Sequence, residues 1–587
     1  MDDQKRFLLA MVLSAFILGG YYLFFAKPLQ EQAREQARVE AQVQQQQAEI
    51  IAPVVEIKDR AELINSGATR IKIDTPSLSG SFSTAGSRFD DLRLKKYNQT
   101  IKDDSGTVIM FSPEGADHAA YVFDNWALAN TGTGANSQWG HVSGDTLGVD
   151  SSVVLEFIGE GYRVNRVISV DADYLITLKD TITNTSSNDI SVVRAGTTRQ
   201  HDLPDDLTNF FILQEGPIAV VDNKKVDMKY KKLSKKRNVS YQGVGGWAGL
   251  TDKYWLAATI APQGQQMEAT FSFRNLNGHD VYETSYMLEP TTISPGVSIE
   301  STGYIFAGAK QRHILDAYQN DLGIAQMGLA IDWGLLGVLT RPFSWLLTKL
   351  GQMTGNFGVG IIVLTLLLKL ILFPLNNKAY SSMAKMKALA PKIEKIKKRY
   401  GDDRVKLQQE TMAIYKKAGA NPAAGCLPMI PQMFIFFALY KSLFITLEMR
   451  QAPFFGWIKD LSAQDPLSLL NGFGIFPWDP VPIAALSFFA IGPLALMYGA
   501  TMAMMQTLNT PPGDKMQARI FQFMPLFFMF ILAPFAAGLL VYWVWNNILT
   551  FAQQYIITRK FKVETPMDRF FDKILGKNAK TPADKND

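Results

Sequence analysis

Apolar positions along this chain fall into two patterns, continuous runs and strict alternation. FLLAMVLSAFILGGYYLFF, beginning at Phe7, is long enough to span hydrocarbon, and five further runs follow at about 356–376, 425–447, 488–507, 518–534 and 538–557. Residues 55–330 differ. TRIKIDTPSLSGSFS, SVVLEFIGEGYRVNRVISV and DYLITLKDTITNTSS alternate apolar with polar residues, favour β-branched side chains and break at Asn, Ser and Gly. The expected fold is a membrane α-helical bundle of six transmembrane helices, five of them forming a core, plus a large all-β sandwich domain.

The segments between these blocks have their own signatures. Residues 1–26 read as an uncleaved signal anchor, since the apolar run exceeds a usual signal-peptide core and no A-x-A-like site follows directly. Residues 27–54, with QEQAREQARVEAQVQQQQAEI, lack an apolar face and read as a polar tether. Residues 332–353 are amphipathic. Thr340, Ser344, Thr348 and Gln352 form one surface, with Leu336, Leu339, Phe343, Leu346, Leu347 and Leu350 opposite. That pattern suits a helix lying in the membrane interface, or one packed on the sandwich. The remaining core, 354–560, closes with two spans joined only by the turn around APFAAG. The first of that pair is roughly 25 Å of helix, short for a ~30 Å core, which favours local bilayer thinning.

Within the core, residues 377–422 form a helical hairpin. Met383, Met386, Leu389, Ile393 and Ile396 step by three and four, Gly401 to Asp403 makes a turn, and VKLQQETMAIYKK continues as a second arm. Pro391 should kink or restart the first arm. Its methionines, with Lys385 and Lys387 beside them, suit either binding of varied apolar segments or packing between the arms.

Charge gives the orientation. The net charge is only +5, but the loop Asn377–Pro422 holds twelve Lys/Arg against four Asp/Glu. By the positive-inside rule it is cytoplasmic, so residues 27–355 lie outside and both termini inside. The basic tail 561–587 agrees. A single cysteine, Cys426, rules out an internal disulfide, and all five histidines precede the helical block. KKVDMKYKKLSKKR, Lys224 to Arg237, reads as a solvated lysine-rich hairpin loop. Without aromatic residues placed for base stacking, it gives no sign of nucleic-acid recognition.

One ionisable side chain stands inside the second apolar run. Lys369, in GIIVLTLLLKLILFPL, lies roughly 20 Å along a helix starting near Asn356, with Thr365 one turn earlier on the same face. A central ammonium costs at least ~2.5 kcal/mol by insertion scales, so it faces a polar cavity or snorkels to the interface. No Asp, Glu or His accompanies it, which weighs against an ion-coupled transporter. The pattern also leaves room for a membrane enzyme using His201 in RQHDLPDD, and for a purely structural assembly factor. No phosphate-binding G-x-x-x-x-G-K-[ST] loop occurs.

TLLLKLILFPLNNKAYSSMAKMKALAPKI, NPAAGCLPMIPQMFIFFALY, MRQAPFFGWIKDLSAQDP, FMPLFF and GLLVYWVWNNILTFAQQ resemble, in order and spacing, the YidC family of membrane-protein insertases. The likeness covers roughly Asp332 to Lys560, and the N-terminal half resembles the periplasmic domain of Gram-negative members. The resemblance implies a bacterial inner-membrane protein that is not an enzyme and needs no cofactor. It implies an insertase and chaperone with a hydrophilic groove open to cytoplasm and lipid. Implied partners are nascent membrane proteins, membrane lipids, the Sec translocon, the ribosome and a targeting receptor. Lys369 stands where the family has a positive groove residue, often Arg; Thr365, Gln432, Tyr542 and Trp543 match other groove positions. The hairpin residues Met383, Lys385, Met386 and Lys387 are then expected to meet clients or partners. Lysine lacks the planar fork of arginine, so bidentate capture of a carboxylate is lost. The apolar stretch Asn471–Ala490 departs from the family pattern by looking inserted.

Overall fold

The computed structural model describes residues 57–561 except 67, 102–104, 130–136, 205–206, 208–212, 277, 401–402, 422–428, 477–488 and 509–514, together with Thr565 and Asp568. The N-terminal anchor and tether lie outside the described residues, as do most of the inserted stretch and the tail. What is described divides into two compact units, residues up to 340 with 445–447, and residues 341–444 with those from 448 onward.

The first unit is a sandwich of an eleven-stranded and a nine-stranded sheet among the described residues. Alternation in the sequence becomes alternation in burial. In Tyr162–Val170, every odd-numbered position from Val164 to Ile168 is exposed or half-buried and every even-numbered one is buried, Arg166 included. Pairing is antiparallel, with Leu175–Asn184 between Tyr162–Val170 and Ser298–Ala309, apart from one parallel contact of Arg70–Asp74 with Thr146–Leu147. Among the described residues, three α-helices accompany the sheets: α1 (Arg60–Ser66), α2 (Tyr230–Lys236) and α3 (Arg312–Asp321). The lysine-rich segment is therefore not a loop. Lys224–Asp227 is a strand paired with Gly216–Val221, and α2 follows it, pinned by buried Tyr230 and Leu233. Two apolar residues three apart suffice to seat one helical turn while the lysines between them stay in water.

Between the sheets lies a group of charges that the alternation did not reveal. Arg166, Asp180, Arg194 and Asp124 are all fully buried. Arg166 grips Asp180 through two bonds of 2.7 Å, and Arg194 Nε donates to Asp124 Oδ1 at 2.8 Å. Trp126 Nε1 donates to Asp180 at 2.8 Å, Arg166 to the Asp124 carbonyl at 2.7 Å, and Arg194 to Ser301 Oγ at 3.0 Å. These last three bonds each join one sheet to the other, so they fix how the two sheets register. Burial by itself raises the Asp180 carboxyl, but Arg166 and Arg194 outweigh it and hold the group below the usual carboxylate range.

The helix α4 (Gly337–Thr354) shows a second difference from the pattern expected of its sequence. Thr340 and Ser344 are buried, whereas Val338 and Trp345 are exposed alongside Arg341 and Lys349. The Thr340 hydroxyl donates to the Leu336 carbonyl at 3.0 Å. Satisfied on its own helix, such a hydroxyl is buried at little cost.

The second unit is helical: α5 (Phe357–Ile371), α6 (Phe373–Ala388), α7 (Ala390–Arg399), α8 (Arg404–Lys417), α9 (Met429–Ile445), α10 (Pro493–Gln506), α11 (Lys515–Leu532) and α12 (Ala537–Lys560). Asn356 caps α5 by accepting from Val359 N at 3.1 Å, which agrees with the start read from sequence. Pro391 in the first turn of α7 restarts the hairpin arm as expected. Among the described residues one helical run, Phe357–Ala388, is both long and apolar enough to cross a membrane; Ile430–Ile445 and Ala518–Leu532 are shorter apolar helices.

The sandwich's charges generate a first prediction. Arg194→Met leaves Asp124 buried without its guanidinium and should cost about 3–5 kcal/mol. Denaturant unfolding followed by tryptophan fluorescence measures this, since Trp126 and Trp139 flank the cluster. A cost below about 1 kcal/mol would show that the charges are incidental. Because the Asp180 carboxyl is depressed, its stabilisation is present above the ordinary value near 4 and is lost as pH falls through the folded value.

Candidate functional site

The helices α5 and α12 bring polar side chains together inside the helical unit. Lys369 sits in the last turn of α5, where the C-terminal end of the helix dipole favours a cation. Its Nζ donates to Thr550 Oγ1 on α12 at 2.7 Å. Thr550 donates its own proton to the Asn546 carbonyl at 2.6 Å. One hydroxyl thus links α5 to α12. Among the described residues the hydroxyl of Thr550 is the hydrogen-bond partner of Lys369 and no carboxylate pairs with it.

A second tie lies further along α12. Gln432 Nε2 of α9 donates to the Tyr542 hydroxyl at 3.0 Å. Tyr542 and Thr550 are eight residues apart, or about 12 Å along the helix axis. Between them Asn547 Nδ2 donates to Thr501 Oγ1 of α10 at 3.2 Å. Tyr542, Asn547, Thr550, Gln554 and Thr558 are all buried, so α12 presents a polar stripe to its neighbours.

The other sequence-predicted residues go elsewhere. Thr365 is buried, but its hydroxyl donates to the Ile361 carbonyl at 2.7 Å on its own helix and does not join the Lys369 network. Trp543 points into an aromatic group, stacked on Phe436 with centroids 5.2 Å apart and flanked by Tyr498 at 5.7 Å. On α6, Met383 and Met386 are half-buried. Lys385 reaches the Gly419 carbonyl at 3.5 Å. Lys387 Nζ donates to the carbonyls of Thr507 and Leu508, both at 3.1 Å, just past the end of α10. Thr550 and Asn547 were missed in the sequence. Polar residues recurring every three or four positions from Tyr542 to Thr558 were the available signal.

The end of the unit away from the hairpin is braced by the loop after α9. Ala463 and Leu461 carbonyls accept from Ala537 N and Gly538 N at 2.7 and 2.9 Å, binding the loop to the turn between α11 and α12. Asp465 is buried. It accepts from Trp457 Nε1 at 3.0 Å and from Leu494 N, the start of α10, at 3.1 Å. Glycines permit the close approach: a Cβ on Gly492 would lie 2.5 Å from Asp465, and one on Gly358 2.0 Å from the Phe454 ring.

Family models match both halves: residues 349–565 match the 60Kd inner membrane protein family and residues 70–346 the YidC periplasmic domain. A membrane protein insertase YidC of Maricaulis maris (strain MCS10) is 44% identical over 586 residues, covering 98% of this chain and 99% of the relative. This chain belongs to the YidC family. The YidC of Caulobacter vibrioides (strain NA1000 / CB15N) is 40% identical over 613 residues, with coverage of 98% and 99%. A crystal structure of an active YidC insertase with its first transmembrane domain resolved aligns at 17% identity and a TM-score of 0.34, over 83% of this chain and 93% of that one. As a YidC family member the chain is an inner-membrane protein whose β sandwich is periplasmic.

The shared hydroxyl can be tested directly. Thr550→Val keeps the side-chain shape but strips Lys369 of its acceptor, and should lower stability by about 1–3 kcal/mol. Thr550→Ser should retain it. Thermal unfolding in detergent compares the three proteins, and equal stability would separate Thr550 from the network.

Proposed function

We propose that this chain inserts and folds proteins into the inner membrane along a hydrophilic groove open to cytoplasm and lipid. Lys369, Gln432 and Tyr542 line it, with Thr365 and Trp543 on its walls. The supporting observation is that, among the described residues, Lys369 meets a neutral hydroxyl and no carboxylate. An ammonium with no carboxylate partner is free to take one from a client.

The physical barrier to insertion is desolvation of the client's polar flank. A polar path covers part of the membrane thickness, and thinning beside the short α11 reduces the rest. Lys369 attracts an acidic flank, and the client's own span moves sideways into lipid. Burial of that span drives the process, so no nucleotide hydrolysis is required. The family's charge is kept here as a compact ammonium, which needs one acceptor to hold it and offers its remaining donors to the client.

In this reading the protein has six spans, with both termini cytoplasmic and residues 27–355 periplasmic. It works alone or beside the Sec translocon, and also as a chaperone. The hairpin 377–422, through Met383, Lys385 and Met386, meets the client, the ribosome or a targeting receptor before the groove does. Lys387 has a bracing role at α10 as well. A secondary transporter is the weaker reading, since no acidic residue or histidine stands within the core spans.

Two measurements bear on this. In a Cys426→Ser background, cysteines placed at Ser240 and Lys398 should label from opposite sides of the membrane; labelling from one side refutes the topology. Charge at position 369 should matter more than shape. A pair at ~4 Å is worth about 4 kcal/mol at an effective dielectric of 20, before desolvation. Lys369→Arg should therefore retain insertion. Lys369→Ala should lower insertion of acidic-flanked clients about tenfold, a loss of roughly 1.4 kcal/mol, and spare neutral-flanked ones. Lys369→Glu should be worse for acidic flanks. Full activity of the alanine variant on acidic clients would remove Lys369 from the mechanism.

A further inference from the structure

The eleven-stranded sheet ends on the strand Asn238–Val244, which pairs antiparallel with Gln266–Leu276 and has no strand on its other side among the described residues. Its hydrogen-bonding phase follows from the two ends of the ladder. Phe273 N donates to the Arg237 carbonyl at 2.7 Å, and Gly245 N to the Gln265 carbonyl at 2.8 Å. Positions 237 and 245 are therefore in hydrogen-bonded pairs, and by alternation so are 239, 241 and 243. The N–H and C=O groups of Asn238, Ser240, Gln242 and Val244 point the other way, to the outer edge. The side chains agree: Ser240 meets Thr270 at 2.8 Å and Gln242 meets Glu268 at 3.1 Å, the close approach expected of pairs without backbone bonds.

This edge carries none of the usual protection. NVSYQGV has no lysine, no proline and no charged residue, and its register with the neighbouring strand runs without a bulge. At its far end is a cleft of about 410 Å³ where Met267, Met287, Leu288 and Pro290 stand beside Glu268 and Glu289. At its near end the chain leaves α2 through Arg237, in a left-handed conformation (φ 63°), with Lys231, Lys232, Lys235 and Lys236 exposed. The strand thus offers outward backbone groups between a basic start and a cleft whose apolar side chains, Met267, Met287, Leu288 and Pro290, lie among two glutamates.

We propose that this edge receives an extended polypeptide segment as an added strand, its acidic residues beside the α2 lysines and its apolar residues at the cleft. Antiparallel pairing, the stronger geometry, makes the segment apolar in its N-terminal half and acidic in its C-terminal half. The surface is independent of how Lys369 operates.

The test uses the full-length protein in phosphatidylcholine nanodiscs. The probe is an end-capped fluorescent peptide whose first half alternates valine and threonine and whose second half alternates glutamate and threonine. It should bind, and the amides of Ser240, Gln242 and Val244 should exchange hydrogen more slowly when it does. An N-methylated version of the probe and a version with lysine for glutamate should each bind about tenfold more weakly. Ser240→Pro removes one outward N–H and no ladder bond, and should weaken binding by a similar factor. The combined change K231Q/K232Q/K235Q/K236Q should weaken binding and flatten its salt dependence. Three results would overturn the proposal: no binding; protection of other amides only; or binding that falls with the lysines but is indifferent to N-methylation and to Ser240→Pro. The last would make the lysines a general anion surface, such as one for lipid headgroups.

Discussion

A charge removed from water must find a partner, and this chain meets that constraint in two opposite ways. In the sandwich, Arg166 and Arg194 face Asp180 and Asp124, so two cations and two anions cancel within a dry interior. Removing any one of them would strand another, which is why the group specifies a single registry between the sheets. In the helical unit, Lys369 has a hydroxyl and no counter-ion among the described residues. The first arrangement pairs its charges within itself. The second leaves a cation beside a neutral group.

For such a charge to stay where it is, the surrounding helices must be held by other means. The helix α10 shows how. Asp465 accepts from its N-terminal amide, and Lys387 donates to the carbonyls beyond its C-terminus. An anion at the start and a cation at the end both complement the helix dipole. The side chains come from the loop after α9 and from α6, so one helix is fixed at both ends by two distant parts of the chain. Asn547 then ties α10 to α12, and Thr550 ties α12 to Lys369. The hairpin side of the unit and the Lys369 network are mechanically continuous through these few bonds.

Much of this was legible in the sequence because period reports burial. Alternation gave the sandwich, and apolar runs interrupted by Lys369 gave the core helices and the residue of interest. What stayed hidden has a common cause: periodicity says which face a residue occupies, not what it meets. Arg166 occupies an inward position in a strand whose other inward residues are apolar, so nothing local marks it as one of four converging charges. Thr340 read as polar surface and Thr365 as a groove position beside Lys369, yet both turn their hydroxyls to their own backbone and are buried. The lysine-rich segment read as loop because its charges outnumber its anchors, although Tyr230 and Leu233 are enough to seat a helix. Family resemblance named Gln432, Tyr542 and Lys369, and geometry adds that they belong to two separate ties on one face of α12.

A lysine at position 369 in place of an arginine has a structural consequence that its partner makes plain. A guanidinium offers five donors in a fixed plane, and a single threonine would leave most of them unsatisfied. An ammonium offers three that rotate freely, and Thr550 occupies one. The remaining two can turn without breaking the bond that anchors the group. In the groove proposed above, that freedom would let the ammonium of Lys369 follow a client's carboxylate, and a carboxylate fixed beside it would take the client's place.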